Sequence, residues 1–140
     1  MNGFERALVV LLRISGIILM TALVAAVMPF SWMDEVHRRL GMGDLPEAPI
    51  TGYLARSLSV MYALHGAIVY FISLDIRRHL PVVKCLAALS VAFGAGMFVL
   101  DFAVGMPPPW TACEGPSIVI LGGVLLWLAN HVREPHKSPG

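Results

Sequence analysis

Apolar and polar positions do not alternate finely along this chain; they fall into four long apolar blocks with the charges gathered between them. The first block, about 7–28, ends at Pro29. At 1.5 Å per residue its length of about 33 Å is enough to cross a ~30 Å hydrocarbon layer. The second spans about 53–76, the third 81–104 and the fourth 116–132. The first block is too long for a signal-peptide core and has no small-residue cleavage site before Pro29, so it is expected to stay in the mature chain. The pattern predicts an all-α, integral membrane four-helix bundle forming a single domain over 1–140, with 133–140 a loose cytoplasmic tail.

Between the first two blocks the period changes. Trp32, Met33, Val36 and Leu40 fall on one face of a short helix at about 31–41, and Asp34, Glu35, His37, Arg38 and Arg39 fall on the other. Ser31 is the expected N-cap, and Gly41 or Gly43 the expected stop. Such a helix lies on a membrane surface. Residues 44–49 return as an extended segment, because residues before proline avoid the helical region. Pro81 and Pro116 suit the first turns of the third and fourth helices, and Pro107–Pro109 predict a stiff, extended loop. Three stripes of small residues predict close helix approach: Ser59, Ala63 and Ala67; Ala88, Ala92 and Gly96; and Gly122 with Gly123.

Composition sharpens this picture. The chain is 57% hydrophobic and 14% charged over 140 residues, against about 45–50% and about 25% for a soluble domain. A net charge of +1 leaves no footprint for nucleic acid. Seven of the ten Lys and Arg residues lie on the side of the N-terminus, the loop after the second helix and the tail, and three on the other side. The positive-inside rule then puts both termini in the cytoplasm of a multi-pass plasma (inner) membrane protein. Cys85 and Cys113 lie at opposite ends of the third helix and form no C-x-x-C pair, so no disulfide or thiol-redox role is read from them.

The candidate chemistry is a set of polar groups inside the apolar blocks. Arg56 lies about one turn into the second helix, Asp101 about one turn from the end of the third, and Glu114 just before the fourth; all three fall near the outer level. Either charge alone is costly in hydrocarbon, so an Arg56–Asp101 pair is expected, as a structural tie or as part of a polar pocket closed by Trp110. His65 lies some 13 Å deeper than Arg56, about half a turn round the helix. It reads as a core histidine or as the lining of a cavity below the carboxylates. Arg13 reads as a snorkelling cation or an inward partner for a carboxylate. No second histidine at the depth of His65 supports haem, and no Cys/His cluster supports zinc, so neither a cofactor nor a metal is expected. The pocket candidates are therefore Arg56, His65, Asp101, Trp110 and Glu114.

The order Arg56 … Asp101 … Gly105-Met-Pro107 … Trp110 … Glu114-Gly-Pro116, on four helices, resembles small bacterial membrane proteins of the DoxX-like kind. The resemblance implies a compact bundle with a polar pocket between helices and no particular reaction; the insertion at 31–41 departs from simpler members. Three classes of function stay open: a binding or accessory module acting with another membrane protein or a second copy of itself in the lipid bilayer, an enzyme acting on a lipid-soluble molecule by an isomerase-type or quinone-linked step, and a small oligomeric carrier or channel.

Overall fold

The computed structural model describes residues 2–132, so the expected tail at 133–140 lies outside the described residues. Among them every regular element is a helix: α1 (Gly3–Met20), α2 (Leu23–Val27), α3 (Phe30–Arg39), α4 (Pro49–Ile72), a 3₁₀ turn (Ser73–Asp75), α5 (Ile76–Val104) and α6 (Pro108–His131). Three helical stretches, Gly3–Val27, Pro49–Val104 and Pro108–His131, are long and apolar enough to cross a membrane. Only 22, 17 and 28% of their most apolar windows are buried inside the protein, so most of the apolar side chains point outward. A fold that buried them against water would do the opposite.

The 56-residue middle stretch is not one straight rod. Asp75 leaves helical geometry at φ −138°, ψ 77°, and its carboxylate accepts from the Arg78 backbone N–H, capping α5. Tyr62, His65, Val69 and Ile72 then share a cavity wall with Val83, Ala87 and Phe93. A straight rod would hold those segments tens of ångströms apart. The chain therefore reverses at Ser73–Asp75, and α4 and α5 form a V.

Each arm of the V carries a partner. The most extensive packing is α5 against α6, followed by α1 against α4, whereas α4 and α5 touch little. Within each arm the backbones meet at glycine. A Cβ on Gly16 would stand 2.8 Å from the Gly66 carbonyl oxygen, and one on Gly66 would stand 2.6 Å from that of Gly16. Gly94 and Gly115 face each other in the same reciprocal way, and Gly122 lies against the Ala87 carbonyl. On α5 the buried positions Leu80, Ala87, Gly94 and Asp101 keep a seven-residue repeat, the seam of a helix that stays against one neighbour. The observed seams differ from the expected stripes. Ala63 is buried, but Ala67, Ala88, Ala92 and Gly96 face outward, and Gly123 meets nothing within 4 Å. The expected rows were equally small; the choice of face was made by which row lets two backbones touch.

The apolar core sits at the vertex. Leu8 and Leu12 from α1, Val69 and Ile72 from α4, Ile76, Leu80 and Val83 from α5, and Leu125 and Leu128 from α6 form one buried cluster. An ion pair closes this end from outside: Arg77 Nε and Nη2 donate to Glu5 Oε1 and Oε2 at 2.8 and 3.0 Å. Asn2 caps α1, its side chain accepting from the Glu5 backbone N–H at 2.7 Å.

Several expected boundaries shift, each for a local reason. The first block breaks between α1 and α2, where the Thr21 hydroxyl bonds back to the Ile18 carbonyl and Ala22 N–H bonds to that of Leu19. The expected extended loop at Pro107–Pro109 is instead the start of α6. Pro107 is the N-cap and Pro108 and Pro109 occupy the first turn, where missing N–H groups cost nothing. Pro116 consequently lies inside α6, and Pro81 lies inside α5, which starts at Ile76. The surface helix begins at Phe30 after Pro29 with no side-chain cap, so Ser31 is not the N-cap. Gly41 and Gly43 take positive φ of 80° and 81° and end it. Asp34 faces the loop rather than the first turn, accepting from Leu45 N–H at 2.7 Å and from Arg38, which also reaches Asp44.

Candidate functional site: a gap between two helix pairs

Geometry divides the five candidate residues into three places. Asp101, Trp110 and Glu114 come together on the α5/α6 arm. Side chains lean toward the N-terminus of their own helix, so on antiparallel neighbours Asp101 and Glu114 lean toward each other. The Glu114 carboxyl is near enough to that of Asp101 for the two to interact electrostatically. It also accepts from the Trp110 indole N–H, one turn earlier on α6. Asp101 is 3% exposed, and its Oδ2 has no hydrogen-bond partner. A carboxylate only accepts, so that oxygen is satisfied only when a donor reaches it, the O–H of the facing carboxyl included. The Asp101 backbone carbonyl meanwhile accepts from Met106 N–H across Gly105, whose φ of 76° ends α5.

Arg56 is elsewhere. Its guanidinium donates to the carbonyls of Gly52 at 3.5 Å and Met28 at 3.3 Å, tying α4 to the end of α2. The expected Arg56–Asp101 pair does not form, because the two residues belong to different arms. None of the ion pairs of the described residues includes Asp101 or Glu114. Asp101 lies near the end of its helix as expected, whereas Glu114, expected just before the fourth helix, lies inside α6, which starts at Pro108. Arg13, for its part, is exposed on α1.

His65 occupies the third place, a cavity of about 190 Å³ enclosed by α1, α4, α5 and α6 in the opening of the V. The lining is mostly aliphatic, with Ser15, Tyr62, His65 and Ser90 as its polar groups. Ser90 is already satisfied by the Leu86 carbonyl at 2.9 Å. Ser15, Tyr62 and His65 make no hydrogen bond among the described residues. Tyr62 and Phe93 face the gap from opposite arms and are 44% and 50% exposed, so the cavity opens sideways past them.

No family model, curated protein or solved structure matches this chain. The site therefore rests on its own geometry. Neither Asp101 nor Glu114 lines the cavity, and no group of three or more His, Cys, Asp or Glu among the described residues is placed to hold a metal. Sequence reasoning had a signal for the Trp110–Glu114 contact, since the two are four apart as helical neighbours are, but the three prolines concealed the helix. The Asn2-x-x-Glu5 spacing is that of a capping box, but nothing in it pointed the Glu5 side chain to Arg77.

Proposed function

We propose that this protein is a multi-pass inner-membrane protein with both termini in the cytoplasm, and that it acts as a binding module for a small lipid-soluble molecule held between its two helix pairs. The observation that carries the reading is the 190 Å³ cavity whose lining includes Ser15, Tyr62 and His65, three polar groups with no hydrogen bond among the described residues. Close packing normally removes such a void. Here the arms are held apart by the vertex on one side, while glycine contacts act only within each arm. Unpartnered hydroxyl and imidazole groups are costly against hydrocarbon, and a ligand carrying a polar atom satisfies both the volume and the hydrogen bonds.

The test is to extract the protein with its surrounding lipid into polymer discs and identify what is retained by mass spectrometry. Ser15→Phe fills the cavity from α1, and Ala67→Phe adds the same bulk to an outward face of α4. A retained small molecule lost in the first variant and kept in the second supports the reading. Equal retention in both places the molecule outside the cavity and refutes it.

A further inference from the structure

We infer that the ligand of this cavity is a lipid-soluble compound whose head is a single flat ring bearing a carbonyl oxygen, with an apolar tail that leaves between the arms; this deepens the binding reading above and rests on it. Three observations narrow the chemistry. The first is size. A cavity of about 150 Å³ accepts a benzene ring, so 190 Å³ has room for one substituted ring. The second is shape. Tyr62 on α4 and Phe93 on α5 stand on opposite sides of the gap. Aromatic faces reward a ring stacked or edged against them more than a flexible chain, which would also lose rotational freedom there. The third is polarity. Tyr62 and His65 are three apart and therefore share one face of α4, with Ser15 on the adjoining α1. Each carries an O–H or N–H donor that makes no hydrogen bond among the described residues. A carbonyl oxygen has two lone pairs and no proton to place, so it takes two of these donors at once.

The opening fixes the direction of entry. Tyr62 and Phe93 are about half exposed, whereas the vertex end of the cavity is sealed by Ile72, Val83 and Leu125, all buried. The ring enters from the side, and the tail stays in the bilayer. The carboxyl pair at Asp101 and Glu114 does not line the cavity, so the lining offers no carboxylate to a cationic head.

The experiment uses the whole protein in lipid nanodiscs and measures ligand bound in excess of protein-free discs. The probes are a decyl-substituted benzoquinone, decylbenzene, which keeps ring and tail but lacks the carbonyl, and decanoic acid, which lacks the ring. The quinone is expected to saturate at one per chain and to bind at least tenfold more tightly than either comparator. Tyr62→Phe, which keeps the aromatic face, is expected to weaken the quinone about tenfold and leave decylbenzene unchanged. His65→Leu is expected to act in the same direction. Equal binding of all three probes, or quinone binding indifferent to Tyr62→Phe, overturns the ring-carbonyl assignment. If decanoic acid alone binds and Ser15→Phe removes it, the cavity is a binding site of a different specificity and only this inference fails. If none of the probes binds and Ser15→Phe changes nothing retained from the native membrane, the binding reading falls as well.

Discussion

Replacing Gly115 with alanine tests the packing that holds the two helices of the α5/α6 arm together. The added Cβ would stand 2.6 Å from the Gly94 carbonyl oxygen, 2.7 Å from Phe98 Cβ and 2.8 Å from Phe98 N. The nearest contact falls about 0.8 Å short of ordinary van der Waals separation, which begins at 3.4 Å. Two of the three atoms are backbone, so no rotamer change relieves the clash, and α5 and α6 must move apart. Overpacking of this kind costs about 1–3 kcal/mol, and the lost interhelical dispersion adds to it. Alanine also returns up to about 1 kcal/mol of helix propensity over glycine. Gly96→Ala separates the two effects, because a Cβ on Gly96 meets nothing within 4 Å. The propensity term cancels in the difference between the variants and leaves the clash alone, about 1–3 kcal/mol. Reversible unfolding in mixed micelles by added SDS measures that difference directly. Gly96→Ala should match or exceed the parent, and Gly115→Ala should fall below it. Equal unfolding midpoints for the two variants would refute the close approach of α5 and α6 at Gly94 and Gly115.

Asp101→Asn is expected to leave the unfolding midpoint unchanged or to raise it, since the amide gives the facing Glu114 carboxyl a donor in place of a second acceptor. In a double-mutant cycle with Arg56→Gln the two effects should add within about 0.5 kcal/mol; a larger coupling would restore the direct pair. Arg77→Met strands the Glu5 carboxylate, which is 3% exposed, and should destabilise the protein more than Arg78→Met, with Arg77→Lys between them in the same SDS titration; equal effects of Arg77→Met and Arg78→Met would remove the Glu5 tie from the account. A fluorescent protein fused after Gly140 should fold and fluoresce in cells, while alkaline phosphatase at the same point should be inactive, because seven of the ten Lys and Arg residues lie on that side; the opposite result would invert the topology.

The long helices were legible because their signal is a sum over twenty or more positions, which a few polar residues do not disturb. The ends were less legible where proline was read by its usual habit. Pro108 and Pro109 sit where a helix has no use for their missing N–H groups, so the same residues that predict an extended loop also serve as a helix start. The candidate site was legible as depth and illegible as partnership. Arg56 and Asp101 were each placed near one end of a helix, and the positions fit. Which helices are neighbours is a property of interhelical seams, and several rows of small residues on α4 and α5 were equally qualified by composition. The structure uses Gly66 on α4 and Ala87, Gly94 and Asp101 on α5, so Asp101 is carried to α6 and away from Arg56.

That assignment of seams also explains why a gap exists at all. Membrane helices gain no hydrophobic drive from meeting each other, so close backbone approach decides which pairs form. Reciprocal glycines draw α1 to α4 and α5 to α6, whereas the faces across the gap carry Tyr62, His65 and Phe93, side chains too large for two backbones to touch. The arms meet at the vertex, where aliphatic residues fill the space and Phe4 of α1 packs against Trp127 and His131 of α6. Large, partly polar side chains facing one another across a space they do not fill are what the proposed ligand site requires, and what a bundle selected for packing alone would replace with leucine. Replacing Tyr62 and His65 together with leucine should therefore raise the stability of the protein in lipid while lowering what it retains, and a double variant that loses stability would mean that these side chains support the fold and not a ligand.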